Sequence, residues 1–202
     1  MIYLYSGTPG SGKSLYSAYE ICDRLKYKKR VIANFNINFA YFKKKAESAK
    51  RYFTYCDNSE LTPEFLVEFA KQNHKEGKES QTVIIIDECS ILFNPREWDK
   101  GDRLKWIVFF QQHRKLGYDV ILITQNDRLI DRQIRSFIET EYKYRRVKNY
   151  KLFGAVLDLL SGGLFIRVEY WYGTRLRCSS QWFRLNKRKS SIYNTFDIFK
   201  KE

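Results

Sequence analysis

Near the start of the chain, three glycines, a lysine and a hydroxyl residue stand at fixed intervals in Gly7-Thr8-Pro9-Gly10-Ser11-Gly12-Lys13-Ser14. The spacing satisfies G-x-x-x-x-G-K-[ST], the pattern of a phosphate-binding loop, at every fixed position. Glycine at 7, 10 and 12 permits turns that a Cβ would forbid, so successive backbone N–H groups can face one anion. Lys13 would set a point charge against β- and γ-phosphates, and Ser14 would offer a hydroxyl to Mg²⁺. A helix opening near Gly12 would add the positive end of its dipole. Gly7, Thr8, Pro9, Gly10, Ser11, Gly12, Lys13, Ser14 and Leu15 are therefore the candidate ATP-binding residues, with Lys13 also counted as catalytic.

A second group of candidates lies where apolar runs end. Thr82-Val83-Ile84-Ile85-Ile86 is followed by Asp87-Glu88. Asp87 stands where a Walker B aspartate would hold Mg²⁺ through water, and Glu88, directly after it, is placed to polarise an attacking water. An acidic pair after an apolar strand is common by itself. The phosphate loop upstream gives it meaning, because both motifs then fall at strand C-termini, where open α/β sheets bind ligands. Val120-Ile121-Leu122-Ile123-Thr124 ends at Gln125. If that strand inserts between the phosphate-loop strand and the Asp87 strand, the amide faces the γ-phosphate and can orient water; the plainer reading is a loop cap. Arg114, Arg132 and Arg135 could stabilise charge on a transferred phosphoryl group, which oligomeric ATPases often neutralise from a neighbouring subunit. Each also reads as a surface or ion-pair arginine. The catalytic set is thus Lys13, Glu88, Gln125, Arg114 and Arg135, and the metal set is Ser14 and Asp87. His113 either pairs with a carboxylate or packs on its helix. The N-K-x-D reader and D-x-x-G switch of GTPases do not appear.

The elements that must hold these residues follow from the apolar pattern. Ile2-Tyr3-Leu4-Tyr5 is short enough for one buried strand, and residues 15–25 read as the helix after the loop, with Leu15, Ala18, Tyr19 and Cys22 at helical spacing. Residues 31–34 form a second strand, 41–49 a lysine-rich surface helix or loop. Leu61-Thr62-Pro63-Glu64 is a helix start in which Thr62 caps, Pro63 takes the first position and Leu61 staples against Leu66. Residues 73–81 are an exposed polar loop. The β-branched run 82–86 has the composition of a central parallel strand buried on both faces. Phe93-Asn94-Pro95-Arg96 breaks the chain, 102–116 is an amphipathic helix closed by Gly117, and 131–138 is helical. From 141 the pattern alternates: 141–145, 165–172 and 175–185 read as strands separated by turns at Gly162-Gly163 and Tyr172-Gly173. The expected fold is α/β, a RecA-like P-loop NTPase core (1–140) with a central, mostly parallel sheet flanked by helices, extended by a basic antiparallel β part (141–202).

Composition narrows the partners. The 202 residues suit one α/β domain, and the net charge is +14. Residues 141–202 hold 14 Lys/Arg against 5 Asp/Glu, so +9 of that excess lies in the last third. A basic, aromatic-rich end suggests nucleic acid or an anionic membrane face, with plain solubility as the alternative. Tyr142, Tyr144, Trp171 and Trp182 could stack on bases or pack within strands. Cys22, Cys56, Cys89 and Cys178 lack metal-ligand or disulfide spacing, which fits a reducing compartment. No leader is read before the strand at residue 2, and no run reaches the ~18 apolar residues of a span; 155–166 is interrupted by Asp158 and Ser161-Gly162-Gly163. The chain as given reads as soluble.

The order of these parts resembles the zonula occludens toxin (Zot) family, which includes the assembly ATPases of filamentous phages, FtsK/HerA-like motors. The likeness rests on the N-terminal phosphate loop, Asp87-Glu88, Phe93-Asn94-Pro95-Arg96 and above all the string Gln112-His113-Arg114-Lys115-Leu116-Gly117-Tyr118-Asp119 running into Val120-Ile121-Leu122-Ile123-Thr124-Gln125. Asp131-x-x-Ile134-Arg135 follows it, and Ser191-Ile192-Tyr193-Asn194-Thr195-Phe196 is similar to a motif closing the family's ATPase domain. The resemblance implies a Mg²⁺- and ATP-dependent motor for phage assembly and export across the bacterial inner membrane. Its working form would be a homo-oligomer such as a hexamer, with phage single-stranded DNA or a DNA–protein complex, coat protein and other assembly proteins as partners. Family members continue into a transmembrane helix and a periplasmic tail. This sequence is accordingly expected to be a cytoplasmic domain at the inner membrane, cut from a longer chain or anchored by a partner. Two other classes stand beside it: a nucleotide or nucleoside kinase, which gives Glu88 no role, and an ATP-binding assembly switch with negligible turnover.

Overall fold

The apolar runs become the middle of one sheet. In the computed structural model, which describes residues 1–96 and 100–193, the elements run β1 (Ile2–Ser6), α1 (Lys13–Lys26), β2 (Arg30–Ala33), a 3₁₀ segment (Phe39–Lys45) leading into α2 (Ala46–Arg51), β3 (Phe53–Tyr55), α3 (Pro63–Asn73), β4 (Thr82–Ile86), α4 (Lys100–Gln112), β5 (Tyr118–Thr124), α5 (Arg132–Arg135), β6 (Thr140–Arg146), α6 (Lys151–Leu160), β7 (Leu164–Trp171), β8 (Arg177–Arg184) and α7 (Lys187–Ser190). Strand order is β3-β2-β4-β5-β1-β6-β7-β8. The first six strands are parallel, and β7 and β8 run antiparallel.

β5 does insert between β1 and β4, with Ser6 level with Thr124 and Ile86 level with Leu122. Burial on both faces explains the unbroken apolar strands. On one face Leu4, Ile84, Ile86, Val120 and Leu122 pack with Leu66 of α3 and with Trp106, Phe109 and Phe110 of α4. On the other, Tyr5, Val83, Ile85, Ile121 and Ile123 pack with Ala18, Ile21 and Cys22 of α1. Thr62 Oγ1 accepts the Phe65 N–H at 3.2 Å and Pro63 begins α3, while Leu61 and Leu66 are both buried, as the capping pattern requires. Among the described residues no helix is long and apolar enough to cross a membrane.

Several boundaries differ from the sequence reading. β6 is a sixth parallel strand, paired with β1 from Tyr3–Thr140 to Ser6–Lys143, and the antiparallel part begins only at β7. Its alternation has another cause: Glu141 and Tyr144 are buried in a polar network and a tyrosine cluster while Arg145 is exposed. α6 lies between β6 and β7, where only strands and turns were read. α4 ends at Gln112, and a turn with Gly117 at φ +84° leads into β5 two residues early. α5 is a single turn, and the short edge strand β3 carried too weak a pattern to stand out in the sequence.

The antiparallel strands are packed against the phosphate loop. A Cβ on Gly12 would fall 2.8 Å from Phe165 Cδ1 and 3.2 Å from Phe183, whose rings stack at 5.3 Å and 18°. Phe165 is buried beneath the loop. Phe165→Ala should lower unfolding stability by about 3 kcal/mol, within the range for truncating a buried phenylalanine, as read from a urea midpoint at unchanged slope.

Candidate nucleotide-binding site

β1 delivers the chain to the loop at Ser6, and the loop then doubles back on itself. Gly7, Gly10 and Gly12 take φ of +147°, +71° and +99°, which L side chains rarely adopt. Space adds to that demand, since a Cβ on Gly7 would stand 2.5 Å from the Tyr144 carbonyl oxygen of β6. Lys13 opens α1 and is 7% exposed. Its Nζ donates to the carbonyls of Gly7 (2.7 Å) and Thr8 (3.2 Å). Burial lowers its pKa, against the opposing pull of the nearby Glu88 and Asp87 carboxylates. The loop, Leu15, Arg146, Phe165, Leu185, Ser190 and Tyr193 line a cavity of about 390 Å³.

The acidic pair sits at the adjacent strand tip. Ser14 Oγ donates to Asp87 Oδ2 at 3.3 Å, so the hydroxyl and carboxylate named from sequence as metal ligands face one another. Asn34, at the end of β2, clamps the Asp87 backbone from both sides: its Oδ1 accepts the Asp87 N–H (2.7 Å) and its Nδ2 donates to the Asp87 carbonyl (2.8 Å). Tyr193 donates to Asp87 Oδ2 at 2.5 Å. Glu88 is exposed, with φ +46° and its N–H on Asp87 Oδ1 (2.9 Å). The donor set suits a hard cation such as Mg²⁺. Two oxygens converge beside a phosphate loop, and among the described residues no group of three or more His, Cys, Asp or Glu could hold a metal, so phosphate oxygens and water would complete the shell.

Gln125 closes the third tip. It lines a cavity of about 270 Å³ with Ser6, Gly7, Thr8, Asn126, Asp127, Glu141, Lys143 and Arg145. The structure therefore brings the phosphate loop, Lys13, Ser14, Asp87, Glu88 and Gln125 to one edge of the sheet.

Within one copy of the chain, none of the arginines singled out from sequence lines the two cavities beside the loop. Arg114 follows α4 at the opposite edge, ahead of the start of β5, where it pairs with Glu79 at 3.1 Å. Arg135 is in α5, near enough to Asp127 to lower its pKa, with its buried Nε lacking a hydrogen-bond partner. Arg132 is exposed on the same turn. His113 is buried with Nδ1 on the Phe110 carbonyl (2.6 Å), which is packing on its helix, and burial lowers its pKa. Besides Lys13, the cations lining those cavities are Lys143, Arg145 and Arg146 of β6, of which Arg146 pairs with Asp158 at 2.9 Å. Sequence reasoning missed them, having placed that strand outside the core; it missed Asn34 too, a lone amide after a strand. Tyr193 belonged to the closing motif without a role, and Asn194, Thr195 and Phe196 of that motif lie outside the described residues.

The fold has known counterparts. The genome packaging NTPase B204 from Sulfolobus turreted icosahedral virus 2, in complex with ATP-gammaS, superposes with a TM-score of 0.54 at 16% identity, over 88% of this chain and 94% of that one. The N-terminal domain of zonular occludens toxin from Neisseria meningitidis gives 0.56 at 18% identity, over 96% and 98%. These likenesses show the fold, that of RecA-like P-loop NTPases. The Gene 1 protein of Enterobacteria phage I2-2 is 28% identical over 208 residues, which are 98% of this chain and 57% of the relative, so the chain spans a little over half the relative's length. The model of the Zonular occludens toxin (Zot) family matches residues 1–187, and the chain belongs to that family.

Proposed function

We propose that this chain is a Mg²⁺-dependent ATP-hydrolysing motor domain serving filamentous phage assembly and export at the bacterial inner membrane. One observation supports the reading: β1, β4 and β5 end at one edge of the sheet, where the Glu88 and Asp87 charges reach Lys13 and Gln125 lines a cavity with Gly7 and Thr8. The Zot family model and the phage Gene 1 relative support the assembly role.

The loop N–H groups and Lys13 would hold the β- and γ-phosphates, and Lys13 would exchange the Gly7 and Thr8 carbonyls for phosphate oxygens. Mg²⁺ held by Ser14 and Asp87 would neutralise charge on the transferred phosphoryl group. Glu88 takes the proton from the attacking water, and Gln125 orients that water. Lys143 and Arg145 supply positive charge from within the chain, alongside any arginine contributed by a neighbouring copy in a homo-oligomer. The exposed Trp171 and Trp182 share β7 and β8 with the exposed Arg177 and Arg184, which suits stacking and phosphate contacts along single-stranded DNA.

A phosphate-release assay on the purified chain, with and without single-stranded DNA, tests the reading; no release with Mg²⁺ and ATP would sink it. Lys13→Ala should abolish binding of a fluorescent ATP analogue. Glu88→Gln should keep that binding while kcat drops by about 10²–10⁴, and normal turnover would remove the base assignment. Arg145→Ala should lower kcat by about 10² if its charge acts on the transition state, with ATP still bound. Asn34→Ala strands the N–H and carbonyl of Asp87, and should cost about 1–3 kcal/mol in denaturant unfolding.

A further inference from the structure

After β8 the chain turns back over the nucleotide site. Tyr19 Oη, on α1, donates to the Arg184 carbonyl (2.8 Å) and accepts the Asn186 N–H (2.6 Å), and Lys189 Nζ pairs with Asp23 of α1 at 2.9 Å. Ile192 is fully buried, and its carbonyl accepts the Asn38 N–H at 2.9 Å. Tyr193 bridges Ile37 in antiparallel fashion, and its ring meets Phe35 edge-on at 4.8 Å and 64°. Those contacts fix the phenol so that its hydroxyl lands on Asp87 Oδ2, the oxygen that also accepts Ser14 Oγ. Ser190 and Tyr193 line the same cavity as residues 10–15.

We propose that residues 185–193 form a strap whose Tyr193 hydroxyl holds the Asp87 carboxylate against cation binding, so that docking of a divalent cation with nucleotide and release of the strap are coupled. The proposal rests on reading Ser14 and Asp87 as the metal ligands. Ser14 carries a rotor: its proton can swing away and leave a lone pair for the cation. The Tyr193 proton can turn too, but its oxygen cannot swing aside, because packing and the backbone bridge hold the ring in place. A cation whose coordinated water donates to Oδ2 therefore competes with the phenol for that oxygen, and the strap moves with the phenol. By linkage, whatever the docked strap costs the cation, the cation costs the docked strap. Tyr193 is then a positioning residue, and any tension on the chain beyond it is felt at Asp87.

The test uses the full chain and Tyr193→Phe, which keeps the ring and its packing. Mn²⁺ is titrated by electron paramagnetic resonance in the presence of ATPγS, and strap release is followed by trypsin cleavage after Lys187, Arg188 and Lys189. The variant should bind Mn²⁺ roughly tenfold more tightly, the scale of one hydrogen bond to a charged group. In the unsubstituted chain, Mn²⁺ with ATPγS should speed cleavage at those three sites. Equal or weaker Mn²⁺ binding by Tyr193→Phe, or cleavage indifferent to the cation, would overturn the strap while leaving the metal site standing. Failure of both proteins to bind Mn²⁺ with ATPγS would overturn the metal assignment itself, and the strap with it.

Discussion

The nucleotide site depends on how little room surrounds the loop after β1. The Tyr144 carbonyl leaves no space for a Cβ at Gly7, and the stacked Phe165 and Phe183 leave none at Gly12. Positive φ at both positions already favours glycine; the walls remove any alternative path for the backbone. The loop is thereby shaped from outside, by β6 and by the hairpin of β7 and β8, as much as by its own sequence. Those strands are part of what makes the phosphate cradle, because without the phenyl rings the turn at Gly12 would lose the surface it is pressed against.

The root of the same loop is held by charge. Glu141 is 2% exposed and lies beside β1, a position that would be costly for an unpaired carboxylate. Three donors offset the cost: Ser6 Oγ at 2.6 Å, the Arg175 guanidinium, and Lys143 Nζ at 3.7 Å. Arg175 also pairs with Asp127 at 2.7 Å, and Tyr172 donates to that carboxylate at 3.0 Å. Burial alone would raise the Asp127 pKa; Arg175 and Tyr172 outweigh it and bring it below the ordinary value. Ser6 immediately precedes Gly7, and Asp127 follows Gln125 by two residues. The turn between β7 and β8 thus ties the base of the phosphate loop to the tip of β5 through one arginine.

How much of this was legible in the sequence follows from where each residue's partners lie. The loop, the helix behind it and the buried runs of β4 and β5 are specified by local rules: glycine spacing, 3.6-residue periodicity and unbroken β-branched composition. Strand order among β1, β4 and β5 was an inference from chemistry, and the register bears it out. β6 departs from the sequence reading because its buried residues meet partners far along the chain, Ser6 by a hydrogen bond for Glu141 and the rings of Tyr5 and Tyr16 for Tyr144, and no local pattern encodes that. Asn34 was invisible for the same reason: its two backbone contacts lie 53 residues away. Arg114 is a different case. The motif around it is specific, and it stands ahead of β5, paired with Glu79 at the edge away from its own chain's phosphate loop, where only the site of a neighbouring copy would meet it.

Lys13 shows how the fold and the chemistry meet. Its ammonium is already desolvated within the protein alone, with the Gly7 and Thr8 carbonyls as acceptors and two carboxylates nearby. The cost of removing that charge from water is therefore met in folding and not at the moment a phosphate arrives. A phosphate would exchange neutral acceptors for an ionised one, adding ion-pair attraction to hydrogen bonds that the ammonium already makes charge-assisted. The lysine would have little hydration left to shed on meeting it. Preorganisation of this kind requires a loop that cannot relax around the buried charge. The glycines walled in by Tyr144, Phe165 and Phe183 supply that stiffness, so the aromatic packing of the C-terminal strands is a condition for the lysine to act.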